Sequence, residues 1–195
     1  MKSSRRTKVP TFETIEFNLP IPAIEAMEIV DMEGAVTIHN FLPDDMQEHA
    51  SRALEQKTER NRRFEFTDRG LWEESSSMLE AAPLSVRVIA RYVTNYVNRV
   101  ENLDWNPTEI VEDAYDEGEF IGNHLAYAGA IGRVAIATLD GFQELHVKNS
   151  DDKYVTMQME PGSVTFLRGS SNDGLRQPSH YMGRAKTPRT AISIR

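Results

Sequence analysis

The sequence predicts an α+β domain in which short antiparallel strands build a sandwich or jelly roll and helices placed ahead of them support one face. Three observations carry this. The second half of the chain divides into RVAIATLDG, FQELHVKN, YVTMQME, SVTFLRG, SHYMG and RTAISIR, separated by Gly, Pro, Asn and Asp. The first half holds two apolar stripes at helical spacing. With 195 residues and 39% apolar composition, the chain is long enough for one buried core and gives no sign of two.

In chain order, residues 1–8, MKSSRRTK, are basic and polar and read as a disordered arm, so that the single domain occupies 9–195. From Val9 to Pro22 the Pro-punctuated chain, with Phe12, Ile15 and Phe17, suits an extended segment laid along the core. Gly34 opens AVTIHNFL, a strand by its β-branched content, and His39 within it reads as structural. Pro43, Asp44 and Asp45 suit the positive end of a helix that should reach about Thr58, its stripe formed by Met46, Ala50, Ala53 and Leu54. The charged stretch 59–80 lacks a steady period and suggests a cover or a solvated hairpin, from which Arg62, Arg63, Phe64 and Trp72 could reach a substrate. Pro83 precedes a second helix striped by Val86, Ile89, Val93, Tyr96, Val97 and Val100, which should brace a sheet. The strand-rich half begins near Thr108.

Composition narrows the function. A net charge of −8 and a pI near 5.2 disfavour broad nucleic-acid binding, which needs many cationic phosphate contacts. Without cysteine, any metal must be held by nitrogen and oxygen. No stretch approaches the roughly 20 apolar residues of a membrane span, and no apolar signal core leads the chain, so a cytoplasmic protein is expected. A nucleophilic Ser or Cys elbow, a P-loop and a dinucleotide fingerprint are all absent.

Two stretches carry chemistry. In VEDAYDEGEFIGNHLA, Val111 to Ala126, strand alternation puts Phe120, Gly122, His124 and Ala126 on one face. In the terminal strand, Arg189, Ala191, Ser193 and Arg195 share a face, two cations framing small side chains. That face suits a small dicarboxylic acid, because a guanidinium offers a planar fork of donors to a carboxylate.

These residues resemble the iron(II) and 2-oxoglutarate dependent oxygenases, and the AlkB-type branch most closely. Tyr115 lies nine residues before His124 with Gly118 at the turn between them, His180 follows a Gly-rich loop, and Arg189 and Arg195 form an R-x5-R ending beyond it. The opening GAVTIHNFLPDDMQEHASRAL is similar as well. The resemblance implies a double-stranded β-helix, iron(II) held by His124 and His180, and 2-oxoglutarate held by Arg189 at its distal carboxylate. Arg195, Tyr115 and Ser193 would complete the co-substrate site. Asp113 stands where that pattern often has Asn.

The family's H-x-D is His124-Leu125-Ala126 here. Ala126 cannot coordinate, which opens a position at a more positive centre and favours an exogenous anion such as chloride. The same replacement marks the iron and 2-oxoglutarate halogenases. The expected activity is therefore oxidation or chlorination of an unactivated carbon in a small molecule. Standing against it are a jelly-roll binding module without redox chemistry, a nucleic-acid base-modifying dioxygenase, and rescue of the missing ligand by Glu144 with His146 on a following strand.

Overall fold

The computed structural model describes residues 21–56, 62–66, 70–125, 132–170 and 177–195; of 62–66 and 71–73 it describes the backbone alone. Among the described residues three α-helices enter the fold: α1 (Ala23–Glu33), α2 (Asp44–Glu55) and α3 (Leu84–Val97). A proline stands immediately before each of them, Pro22, Pro43 and Pro83. Its fixed φ and missing N–H cost nothing at a helix start. The stripes predicted for α2 and α3 are the buried or packed ones, with Ala50 of α2 and Val86, Ile89, Val93, Tyr96 and Val97 of α3 inside the core. Helix α2 ends at Glu55 rather than near Thr58.

Helix α1 had not been expected. It buries Ala23, Ala26, Met27 and Val30 and stops at Gly34, whose φ of 92° places it in the left-handed region that glycine tolerates. The basic arm 1–8 and most of the Pro-punctuated segment fall outside the described residues.

The strands are β1 (Ala35–Ile38), β2 (Arg62–Phe66), β3 (Gly70–Met78), β4 (Glu109–Tyr115), β5 (Phe120–His124), β6 (Arg133–Asp140), β7 (Gln143–Lys148), β8 (Tyr154–Met159), β9 (Val164–Arg168), β10 (His180–Met182) and β11 (Arg189–Ile194). The expected short strands are all present. Hydrogen bonding runs in the order β1-β9-β6-β11-β4-β3-β5-β10-β7-β8, with β2 paired to β3, and every pair is antiparallel. The stretch 59–80 thus contributes a hairpin whose second strand bridges β4 and β5.

The ribbon folds over on itself because alternation along its strands gives it two apolar faces. Val134 and Ile136 of β6, Leu167 of β9 and Ala191 of β11 meet Leu145, Val147, Met159 and Met182 of the opposite layer. The intervening residues Ala135, Ala137, Phe166, Ile192 and Ile194 turn the other way and pack under the helices. There Phe41 sits edge-on to Tyr92, Tyr96 and Phe166, at centroid distances of 5.5, 5.0 and 5.9 Å. The architecture is an α+β double-stranded β-helix with helices on one outer face, as expected.

Candidate active site

Strands β5 and β10 bring the two histidines together. His124 and His180 are Cα partners across the antiparallel pair, and their rings lie 4.3 Å apart, inclined at 60°. Each Nδ1 contacts a backbone carbonyl: His124 that of Gly122 at 2.8 Å, His180 that of Pro178 at 3.0 Å. A carbonyl only accepts, so both Nδ1 atoms carry the proton and both Nε2 atoms keep a lone pair. Burial holds both rings neutral. It lowers His124, and together with the nearby His124 it pushes His180 down to about 4. A neutral pair with free Nε2 lone pairs is the form that ligates a metal.

Above the pair opens a cavity of about 520 Å³ between the two layers. Its floor is apolar, from Ile121, Val134, Ile136, Leu167 and Met182, and its polar groups are His124, His180, Asn123, Glu74, Asp113, Tyr115, Ser193 and Arg195. Tyr115 is buried, which raises its phenol well above the ordinary value and keeps it a hydrogen-bond donor. Ser193 donates to the Asp113 carboxyl at 2.9 Å.

Arg189 is the largest of the fully buried side chains, 2% exposed, and reaches into the layer interface from the start of β11. Its terminal nitrogens donate to Gln143 Oε1 at 3.2 Å and Thr138 Oγ1 at 3.1 Å, one of them also approaches Met159 Sδ, and the guanidinium lies 5.5 Å from the Tyr115 ring centre. Nε has no hydrogen-bond partner. No carboxylate among the described residues forms an ion pair with it. A buried cation whose hydrogen bonds go only to neutral groups carries a desolvation cost of several kcal/mol, and an entering anion offsets it. Arg195, at the other end of the strand, is instead joined to Glu109 at 3.0 Å at the cavity edge.

Ala126 lies outside the described residues, as do the side chains of Arg62, Arg63, Phe64 and Trp72, whose backbone belongs to the β2–β3 hairpin. Among the described residues no group of three or more His, Cys, Asp or Glu is placed to hold a metal. Rescue by Glu144 and His146 is overturned by the parity of β7. Gln143, Leu145 and Val147 point inward, so both residues face out. Glu144 accepts from Lys186 and Gln158, while His146 stacks on Tyr181 and bonds Thr156.

The sequence reading missed Glu74, which lines the cavity opposite Asp113, its Cα partner across β3 and β4. A charged stretch without period gave no sign of it.

Several solved structures are similar to this chain in fold. A Pseudomonas putida prolyl-4-hydroxylase matches with a TM-score of 0.65 at 16% identity, over 89% of this chain and 98% of its own. The non-heme α-ketoglutarate dependent carbocyclase SnoK from nogalamycin biosynthesis matches with a TM-score of 0.71 at 11% identity, over 90% of this chain and 85% of its own. OsALKBH1 matches with a TM-score of 0.59 at 16% identity, over 83% of this chain and 97% of its own. The chain has the fold of the iron(II) and 2-oxoglutarate oxygenases. No protein-family model and no curated protein matches it by sequence.

Within an oxygenase fold the residues present fit the family's metal and co-substrate. Two neutral imidazoles supply nitrogen donors, the cavity beside them has room for further ligands, and the buried Arg189 with an unpartnered Nε suits a carboxylate.

Proposed function

We propose that the protein is an iron(II) and 2-oxoglutarate dependent oxidoreductase acting on an unactivated carbon of a small molecule in the cytoplasm. The observation that carries this reading is a pair of neutral histidines in the wall of an inter-layer cavity that Tyr115 also lines, with the buried Arg189, which no carboxylate pairs directly, 5.5 Å behind the Tyr115 ring centre. His124 and His180 would hold iron through Nε2, their orientation fixed by the Gly122 and Pro178 carbonyls. Arg189 would take the distal carboxylate of 2-oxoglutarate, with Tyr115 donating its hydroxyl. Val134, Ile136, Leu167 and Met182 would keep water from the co-substrate. Bound iron(II), with 2-oxoglutarate and dioxygen, supplies the oxidising chemistry for breaking a C–H bond.

His124-Leu125-Ala126 provides no carboxylate two residues after the first histidine, so a ligand position falls to a small exogenous group. Chloride there gives a halogenase and water a hydroxylase. The acidic balance favours a small-molecule substrate over nucleic acid.

The test is anaerobic addition of iron(II) and then 2-oxoglutarate to metal-free protein, with and without chloride, following the visible metal-to-ligand charge-transfer band. A band that strengthens or shifts with chloride supports halogenation. A band indifferent to chloride supports hydroxylation. The absence of a band removes the redox reading and leaves a binding module.

A further inference from the structure

The proposed co-substrate is a dianion, yet its cavity contains a carboxyl group, Asp113, with which no cation among the described residues forms an ion pair. Asp113 projects from β4 on the same face as Val111 and Tyr115, all three in the cavity wall, and its Cα partners are Glu74 on β3 and Ala191 on β11. Ser193 Oγ donates a hydrogen bond to Asp113 at 2.9 Å. We propose that Asp113 selects the state of the site that takes 2-oxoglutarate: protonated, it tolerates the dianion, and ionised, it repels it, so that affinity is lost as Asp113 gives up its proton.

Among the described residues, charged and titratable groups face Asp113 from several strands. From β3 comes Glu74, a like charge. From β11 come Ser193, Arg189 and Arg195, all of which favour the ionised form, but Arg195 is joined to Glu109 and Arg189 is turned toward Gln143 and Thr138. Tyr115 stands next on the same face of β4 as a phenol. Across the cavity, β5 and β10 present His124 and His180, both held neutral. The facing residues of β6 and β9, Val134, Ile136 and Leu167, are apolar. Desolvation and Glu74 outweigh the three favourable groups and push the Asp113 carboxyl up to about 7. A carboxyl in that range changes charge where 2-oxoglutarate itself does not, since ordinary carboxylic acids ionise near pH 4.

The inference rests on the proposed use of 2-oxoglutarate and is tested by binding rather than turnover. Calorimetric titration of 2-oxoglutarate into anaerobic iron(II)-loaded protein should give a weaker affinity at about pH 8 than at about pH 6, as the competent fraction falls. Protonation of the histidines would act in the opposite direction, weakening binding at low pH, so the sign is diagnostic. Asp113→Asn should bind equally at both pH values with the affinity of the wild type at the lower one. Ser193→Ala, which removes the hydroxyl favouring the ionised form, should move the decline to higher pH. Binding by the wild type that is flat with pH, or a decline that persists in Asp113→Asn, overturns the role of Asp113 and leaves the oxygenase reading intact. Absence of 2-oxoglutarate binding at both pH values, in the wild type and both variants, overturns the two together.

Discussion

Arg189 keeps a charge inside the protein where only Gln143, Thr138, Met159 and the Tyr115 ring receive it. That arrangement makes little sense for stability, because a hydrophobic side chain of similar volume would avoid the desolvation cost. It makes sense for holding an anion. Arg189→Ala should weaken 2-oxoglutarate binding by at least about thirtyfold, the ~2 kcal/mol lower bound for truncating a buried charge pair, and leave iron(II) affinity unchanged. Titrating metal and co-substrate separately by calorimetry checks this, and equal losses for both would refute the assignment. Glu144 and His146 give the converse case at the same scale. Both face outward from β7, so His146→Ala and Glu144→Gln should alter iron(II) affinity by less than about twofold, within the scatter of surface substitutions. A loss of metal binding in either would bring the rescue ligand back.

Among the elements, α1 supports the site from outside, while β3 lines it through Glu74 and joins its two layers. Helix α1 covers the outer face of the layer whose inner face forms the cavity floor, and Gly34 at its end leads directly into β1. Met27, 2% exposed, is its largest buried side chain. Met27→Ala should cost about 2–5 kcal/mol, the range for emptying a core site of a long apolar side chain. Chemical denaturation of the metal-free protein would show it as a lower midpoint at unchanged slope. Strand β3 pairs with β4 along Glu73 to Met78 and with β5 at Gly70 and Leu71, so it ties the layer carrying Asp113 and Tyr115 to the layer carrying His124. Gly70 is required where it crosses: at its φ of 123°, a Cβ would lie 2.1 Å from the Phe120 carbonyl oxygen. The alternation on β11 was readable from residue order alone, whereas on β5 an irregular register against β10 brings Ile121 into the cavity wall with His124 and leaves Phe120 against Arg184. The helical stripe Ala23, Ala26, Met27, Val30 was equally present but sat beside a Pro-punctuated segment that reads as extended, and β3 was hidden by charged residues whose pairing depends on its neighbours.

For the whole molecule, the raised Asp113 carboxyl has a stability consequence with a definite sign. The unfolded chain ionises it near its ordinary 3.8, while the folded protein holds the proton to about 7. Folding is therefore favoured below that window, and the contribution is lost as pH rises from about 4 to about 7. A shift of about three units at ~1.4 kcal/mol per unit bounds the loss at about 4 kcal/mol, and partial solvent access to the half-buried group makes it smaller. The histidines act oppositely: their folded values are lowered, so their contribution is lost as pH falls below about 6.5, toward about 4 for His180. Unfolding free energies of the metal-free protein measured across about pH 4 to 8 should show the falling limb in the wild type and lose it in Asp113→Asn. An unchanged profile in the variant would place the charge elsewhere.

The sequence by itself determined the strand-rich half, the two apolar stripes and the face that Arg189 shares with Ala191 and Ser193. These are local properties, set by period, turn residues and side-chain chemistry. Only the tertiary structure decided that His124 and His180, far apart in the chain, are register partners, because the pairing of β5 with β10 depends on how the whole ribbon folds over. It also decided which parity of β7 points inward: Glu144 and His146 do share a face, but Leu145 and Val147 take the interior because they bury apolar area against Val134 and Ile136. Periodicity fixes which residues travel together, and packing chooses the side on which they end.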